Sequence, residues 1–122
     1  MLTKYDIDNL LLNKIPEFSK EYNDHLEDYG EILHHVLFGD LTRFLIRSYR
    51  QSKVMPEQRD LFMRILSFVE HLYIHGDDYV TELVVVSFLE NLHQAGDDYE
   101  EIKKYLKDQT GKQLTAMDNW RP

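Results

Sequence analysis

The sequence predicts an all-α fold: a single compact domain of five to six helices, mostly antiparallel neighbours around a central valine-rich helix. Three observations carry this. Apolar residues recur at three- and four-residue spacing over long stretches, the mark of helices with one buried side. The five glycines and three prolines fall mostly where a helix should start or stop. With 122 residues and 43% hydrophobic content, the chain can bury a core in one domain without metals or disulfides. The absence of cysteine excludes disulfides, cysteine catalysis and thiolate metal sites.

Thr3 and Asp6 have capping-box spacing and open a first helix through about residue 13. Pro16 suits the first turn of a second helix, which runs to about residue 28 and closes at Gly30. A third pattern, from about residue 31 to 50, sets Leu33, Val36, Leu37, Leu41, Phe44 and Leu45 on one side. Gly39-Asp40 interrupts it, either as a kink or as a stop and restart with Asp40 as N-cap. After a linker over residues 51–55, Pro56 opens a fourth helix to about His75, with a stripe that includes Leu61, Phe62, Ile65, Leu66, Val69 and Leu72. The fifth helix, about residues 77–95, is apolar over most of its circumference. Val84, Val85, Val86, Phe88, Leu89 and Leu92 leave a narrow polar stripe of Ser87, Glu90, Asn91 and Gln94, which places this helix centrally. Residues 1–108 thus form the helical domain. Residues 109–122 are a weakly patterned C-terminal tail, packing on the domain or extending from it, with Trp120 as its candidate anchor.

Gly76-Asp77-Asp78-Tyr79 recurs 20 residues later as Gly96-Asp97-Asp98-Tyr99. The physical reading is one helix–helix junction used twice. Glycine takes a left-handed C-terminal position, and Asp97 and one of Asp77 or Asp78 cap the next helix at the positive end of its dipole.

The charge is as uneven as the apolar pattern is regular. Between Ile65 and Ile102 there are nine Asp/Glu and no Lys/Arg, whereas the other 84 residues carry 13 acids against 14 bases. The net charge of −8 therefore sits in a 38-residue stretch. Concentrated like charge favours solubility at some cost in stability, and it suits rapid capture of a basic partner. A solvated face without a partner is the alternative. Asp77, Asp78, Tyr79, Asp97, Asp98, Tyr99, Glu100 and Glu101 are the candidate partner-binding residues. Tyrosine supplies area and a hydroxyl at low entropic cost, and carboxylates receive Lys and Arg. Each tyrosine could equally pack down at its helix start. A chain with pI near 5.1 is a poor nucleic-acid binder, because phosphate contacts need clustered cations. No run of about 18 apolar residues is present to span a membrane, and the first residues show no secretory pattern. A soluble, cytoplasmic protein is expected.

Three histidine patterns bear on metals. Glu31-x-x-His34 and Glu90-x-x-His93 have the spacing used in carboxylate dimetal bundles, but the remaining helices offer no evident inward glutamates. His71 and His75 have i, i+4 spacing, yet Arg64 shares their side of the helix and would oppose a cation. His34 and His35 point about 100° apart on a helix and cannot chelate together. No metal or other cofactor is expected. No nucleophile elbow, P-loop or glycine-rich oxyanion loop is present, so a non-catalytic protein is expected. If the third helix is continuous, Asp40 stands inside its apolar stripe. A pair with Arg43 or Arg47 one turn on, or an N-cap at a break, is the structural reading, since a buried carboxylate must be paired. A partner-binding role for Asp40 is the alternative.

The segment His34-His35-Val36-Leu37-Phe38-Gly39-Asp40-Leu41-Thr42-Arg43-Phe44-Leu45, with Val85-Val86-Ser87-Phe88-Leu89-Glu90-Asn91-Leu92, resembles small acidic helical bacterial proteins. These are the immunity proteins of polymorphic toxin and contact-dependent growth inhibition systems. The resemblance runs from the first helix to about Leu106 and rests mainly on packing residues, so it carries over no catalytic residue. It implies a cytoplasmic antidote that binds a cognate toxin domain. Many such toxins are nucleases with basic clefts, which an acidic face could occupy in place of phosphate. Two other classes stand beside it: a helical adaptor for another basic protein, and a metal-dependent helical-bundle enzyme.

Overall fold

The structure, a computed structural model, describes residues 1–120. Among these residues there is no β-strand, and the chain is a succession of helices, as the periodicity requires. Asp6 accepts hydrogen bonds from the N–H of Thr3 (2.8 Å) and from its hydroxyl (3.3 Å), forming a tight turn from which α1 (Ile7–Lys14) departs. A 3₁₀ turn, Pro16–Phe18, leads into α2 (Ser19–Tyr29), which ends at Gly30 with φ of +72°. Only glycine takes that conformation without strain.

α3 (His34–Ser52) runs unbroken through Gly39 and Asp40. It starts three residues later than the pattern suggested, and Asp40 caps nothing. α4 (Glu57–His75) follows Pro56. Tyr49 near the end of α3 meets Phe62 near the start of α4 with ring centroids 5.4 Å apart, so the short linker turns the chain back on itself.

The fifth segment is α5 (Asp78–Glu82), which widens into a π-helical stretch (Leu83–Leu89) and tightens into a 3₁₀ stretch (Glu90–Asp98) interrupted at Gly96. A change of helical pitch leaves carbonyls without their usual i+4 partners. Two are taken by side chains: Thr42 Oγ1 donates to the Phe88 carbonyl (3.0 Å) and Asn91 Nδ2 to that of Ser87 (2.7 Å). Val80, Leu83, Val84, Phe88, Leu89 and Leu92 are fully buried, so this segment is the central one. Val86 departs from expectation by being 43% exposed, while Ser87, assigned to the polar stripe, is buried.

α6 (Tyr99–Tyr105) and α7 (Asp108–Trp120) complete the described chain. α7 occupies most of the weakly patterned tail. It docks through buried Leu114 and Thr110, and through Glu70 of α4, which accepts from the N–H groups of Gln109 (2.9 Å) and Thr110 (2.8 Å) and from the Thr110 hydroxyl (2.8 Å). A carboxylate from another helix thus satisfies the free donors of the first turn. Trp120 is 88% exposed and does not anchor the tail. Residues 121 and 122 lie outside the described chain.

The N-terminus is pinned at the other end of α4. Leu2 donates its N–H to the His75 carbonyl and accepts from Asp77 N–H, both at 2.8 Å. Phe18, Phe38, Phe62 and Phe88 form the bulk of one core, with less than 2% of each ring accessible. Truncating any of them to alanine would cost on the order of 3–5 kcal/mol.

Candidate functional site on the α3–α5 face

α3 and the α5 segment run side by side in the same sense, and polar contacts mark their seam. His34 Nδ1 lies 3.1 Å from the Tyr79 hydroxyl, His35 Nδ1 bonds to Ser87 Oγ, and Arg43 Nη1 donates to Gln94 Oε1 at 3.4 Å. Farther on, Arg50 donates to the Ala95 carbonyl (3.1 Å) and to Asp98 (2.8 Å). Gly39 is buried in this seam, where an added Cβ would stand 3.4 Å from Asn91 Nδ2 and from Arg43 Nη2. Asp40 is half-buried and pairs with Arg43 at 2.6 Å rather than with Arg47. Arg47 instead reaches Glu21 of α2 (3.4 Å) and covers the Phe44 ring.

The structure divides the expected partner-binding residues. Asp77 is an N-cap, its side chain accepting from Val80 N–H at 3.0 Å. Asp98 pairs with Arg50 and Lys53 of α3. Glu101 pairs with Lys104 one turn away. Asp97, expected to cap, makes no hydrogen bond or ion pair among the described residues, and Asp98 occupies the N-cap position without a side-chain cap bond. Tyr99 is only 7% exposed: its ring stacks on His93 and its hydroxyl donates to Asp118 (2.5 Å). Its ring and hydroxyl are thus both engaged within the fold.

Asp78, Glu82, Glu90, Asp97 and Glu100 are the acids of the basic-free stretch that stay exposed without a hydrogen bond or a contact ion pair among the described residues. Asp78, Glu82, Val86 and Glu90 recur every four residues along the outer side of the α5 segment. Sequence reasoning concentrated on the Gly-Asp-Asp-Tyr junctions and missed this row, although the i, i+4 spacing was there to find. Val86 stands between two carboxylates, and Tyr79, 37% exposed, borders the row. Val36 of α3, beside His35, adds a further exposed apolar side chain.

Behind Tyr79 a polar chain fixes its position. Asp8 of α1 receives the Tyr22 hydroxyl (3.0 Å) on one oxygen and faces His34 Nε2 (2.8 Å) with the other. Burial, together with the bond to Asp8, pushes the Tyr22 hydroxyl up to about 12, so it remains a donor. With Tyr22 and His34 both on Asp8, the His34 Nδ1 side is oriented toward Tyr79. Four helices thus hold one exposed tyrosine. Proximity of the Asp8 carboxylate, the His34 imidazole and the Tyr79 hydroxyl orients the ring.

The histidine–glutamate patterns are dispersed. Glu31 precedes α3, His34 belongs to the Asp8 node, and His93 faces Asp118 at 3.0 Å. Among the described residues, no group of three or more His, Asp or Glu is arranged to hold a metal ion. Also among them, no helix is long and apolar enough to cross a membrane.

The model of a family described as a domain of unknown function, DUF7674, matches residues 9–121. No curated protein and no solved structure matches the chain significantly.

Proposed function

The chain belongs to the DUF7674 family of domains of unknown function, and we propose that this protein is a non-catalytic, cytoplasmic inhibitor of the immunity type that captures a basic toxin domain. The α3–α5 face is its docking surface. The observation that carries this reading is the free row Asp78, Glu82 and Glu90, with Val86 and Tyr79 exposed among the acids. An aromatic and an aliphatic side chain amid unpaired carboxylates suit a surface rich in Lys and Arg. The carboxylates steer the encounter, and the apolar contacts slow dissociation. Acids that serve the fold, such as Glu70, Asp77 and Asp98, are already engaged and add little to attraction at contact distance.

A nuclease cleft is the natural receptor for such a row, because it is built to hold a line of phosphates. The test is co-expression with the C-terminal domain encoded by the gene immediately upstream. Cells carrying both should grow, and the two proteins should co-purify. Val86→Asp, a solvent-side change that leaves the core intact, should weaken the complex by at least about tenfold and abolish protection. Protection that survives both Val86→Asp and Tyr79→Ala would move the interface elsewhere. Failure of the wild-type pair to associate would end the immunity reading.

A further inference from the structure

A cavity of about 420 Å³ lies between α1 and α4, lined by Leu10, Lys14, Arg64, Ser67, Phe68 and His71. Its volume falls in the range of small-molecule sites, and it shares no residue with the α3–α5 face. Two features define what it would take. Leu10 and the buried Phe68 supply apolar wall, while three basic side chains and no acid line the rest. Arg64 is already paired with Glu17 and Asp60, so Lys14 is the lining cation that has no ion pair among the described residues.

The donors differ in how far they are committed. Arg64 donates to Glu17, to Asp60 (2.8 Å) and to the Lys14 carbonyl (3.0 Å), which fixes the guanidinium in place. Glu17 and Asp60 do not themselves line the cavity. Lys14 Nζ and the Ser67 hydroxyl make no hydrogen bond or ion pair among the described residues, and the His71 ring lies against that of His75, 4.7 Å between centroids. Free donors therefore stand at the edge of an apolar hollow, and no protein acceptor competes for them there.

We propose that this cavity binds a small organic acid with an apolar body, its carboxylate held by Lys14 and Ser67 and its body against Leu10 and Phe68. A fatty or aryl carboxylate of medium length satisfies both requirements. A neutral molecule of the same shape would forgo the ion pair, and a cation would meet Lys14 and Arg64.

Isothermal titration calorimetry of the full chain with octanoate, 1-octanol and octylamine separates these contributions. Octanoate should bind saturably at one equivalent, about three- to tenfold tighter than octanol, and octylamine should bind weakest. Lys14→Met keeps the apolar stem of an exposed side chain. It should reduce octanoate affinity by the same factor while leaving octanol unchanged. Ser67→Trp, at an exposed helical position, should fill the cavity and abolish binding of both. The proposal is overturned if octanoate gives no saturable heat, if octanol binds equally well, or if Lys14→Met or Ser67→Trp leaves octanoate affinity intact.

Discussion

Gly76 and Gly96 hold the same place in two Gly-Asp-Asp-Tyr segments, yet different physics fixes them. Gly96 has φ of +59° with open space around its Cα, so alanine there meets only backbone strain. Gly76 has an ordinary extended backbone, with φ of −78°. A Cβ on it would fall 2.5 Å from Val80 Cγ1 and 2.6 Å from the Leu72 carbonyl oxygen. Gly76→Ala should therefore cost about 1–3 kcal/mol through overpacking, and Gly96→Ala, whose ψ of −120° lies outside the left-handed helical well, about 1–3 kcal/mol through strain. Gly39→Ala should be neutral or stabilising by up to about 1 kcal/mol. Its Cβ would meet only movable side-chain ends, and alanine favours a helix interior. Urea denaturation of the three variants checks the order. A Gly39→Ala loss as large as that of Gly76→Ala would contradict the packing described for the seam. The repeated motif was legible in the sequence, but identical letters concealed unlike jobs. A glycine demanded by a neighbour that leaves no room for a Cβ looks the same, as a letter, as one demanded by its own dihedral angle.

At the scale of elements, helix ends marked by local chemistry were readable: Pro16 at a start, Gly30 at a stop, Pro56 before α4. Those set by distant partners were not. α7 lies in a stretch with little apolar pattern because a carboxylate 40 residues away in sequence secures its first turn. The π-helical part of the central segment was equally hidden, since the side chains that take up its carbonyls include Thr42 on α3. Two acidic groups, Glu70 and Asp118, hold α7 down. For each, burial raises the carboxyl, but hydrogen bonds outweigh it: those of Thr110 and Gln109 for Glu70, and those of Lys103, Tyr99 and His93 for Asp118. Both therefore ionise below their ordinary values of 4.5 and 3.8. Their contribution is complete above those values and is lost as pH falls through the lowered ones. Amide hydrogen exchange should show α7 opening before α3 and α4 as the solution is acidified below about pH 4.5. Glu70→Gln should bring that opening to neutral pH at a cost of about 1 kcal/mol. Equal protection of α7 and α4 across the titration would refute it.

For the molecule as a whole, the charge imbalance was the most legible fact, and the structure changes its meaning. α3 carries Arg43, Arg47 and Arg50, and it lies against the basic-free segment. Asp98 is thus paired, and three of the five exposed acids of the stretch that lack a contact pair, Asp78, Glu82 and Glu90, form one row. That pairing was illegible in the sequence because it depends on which helix packs beside which. Tyr99 and Asp98 are engaged within the fold, whereas Tyr79 is partly exposed to solvent. Neutralising Asp98 by Asp98→Asn should lower stability by less than about 1 kcal/mol, as expected for a partly exposed pair, and leave partner binding unchanged. The free row should behave in the opposite way. The most direct test of the proposed immunity role is the association rate with the proposed partner, the C-terminal domain encoded immediately upstream, measured by stopped flow across a salt series, for the wild type and for Glu82→Gln/Glu90→Gln. The double variant should associate several-fold more slowly at low salt, with a flatter salt dependence and unchanged stability. An unchanged rate and slope would show the α3–α5 row to be ordinary solvated surface.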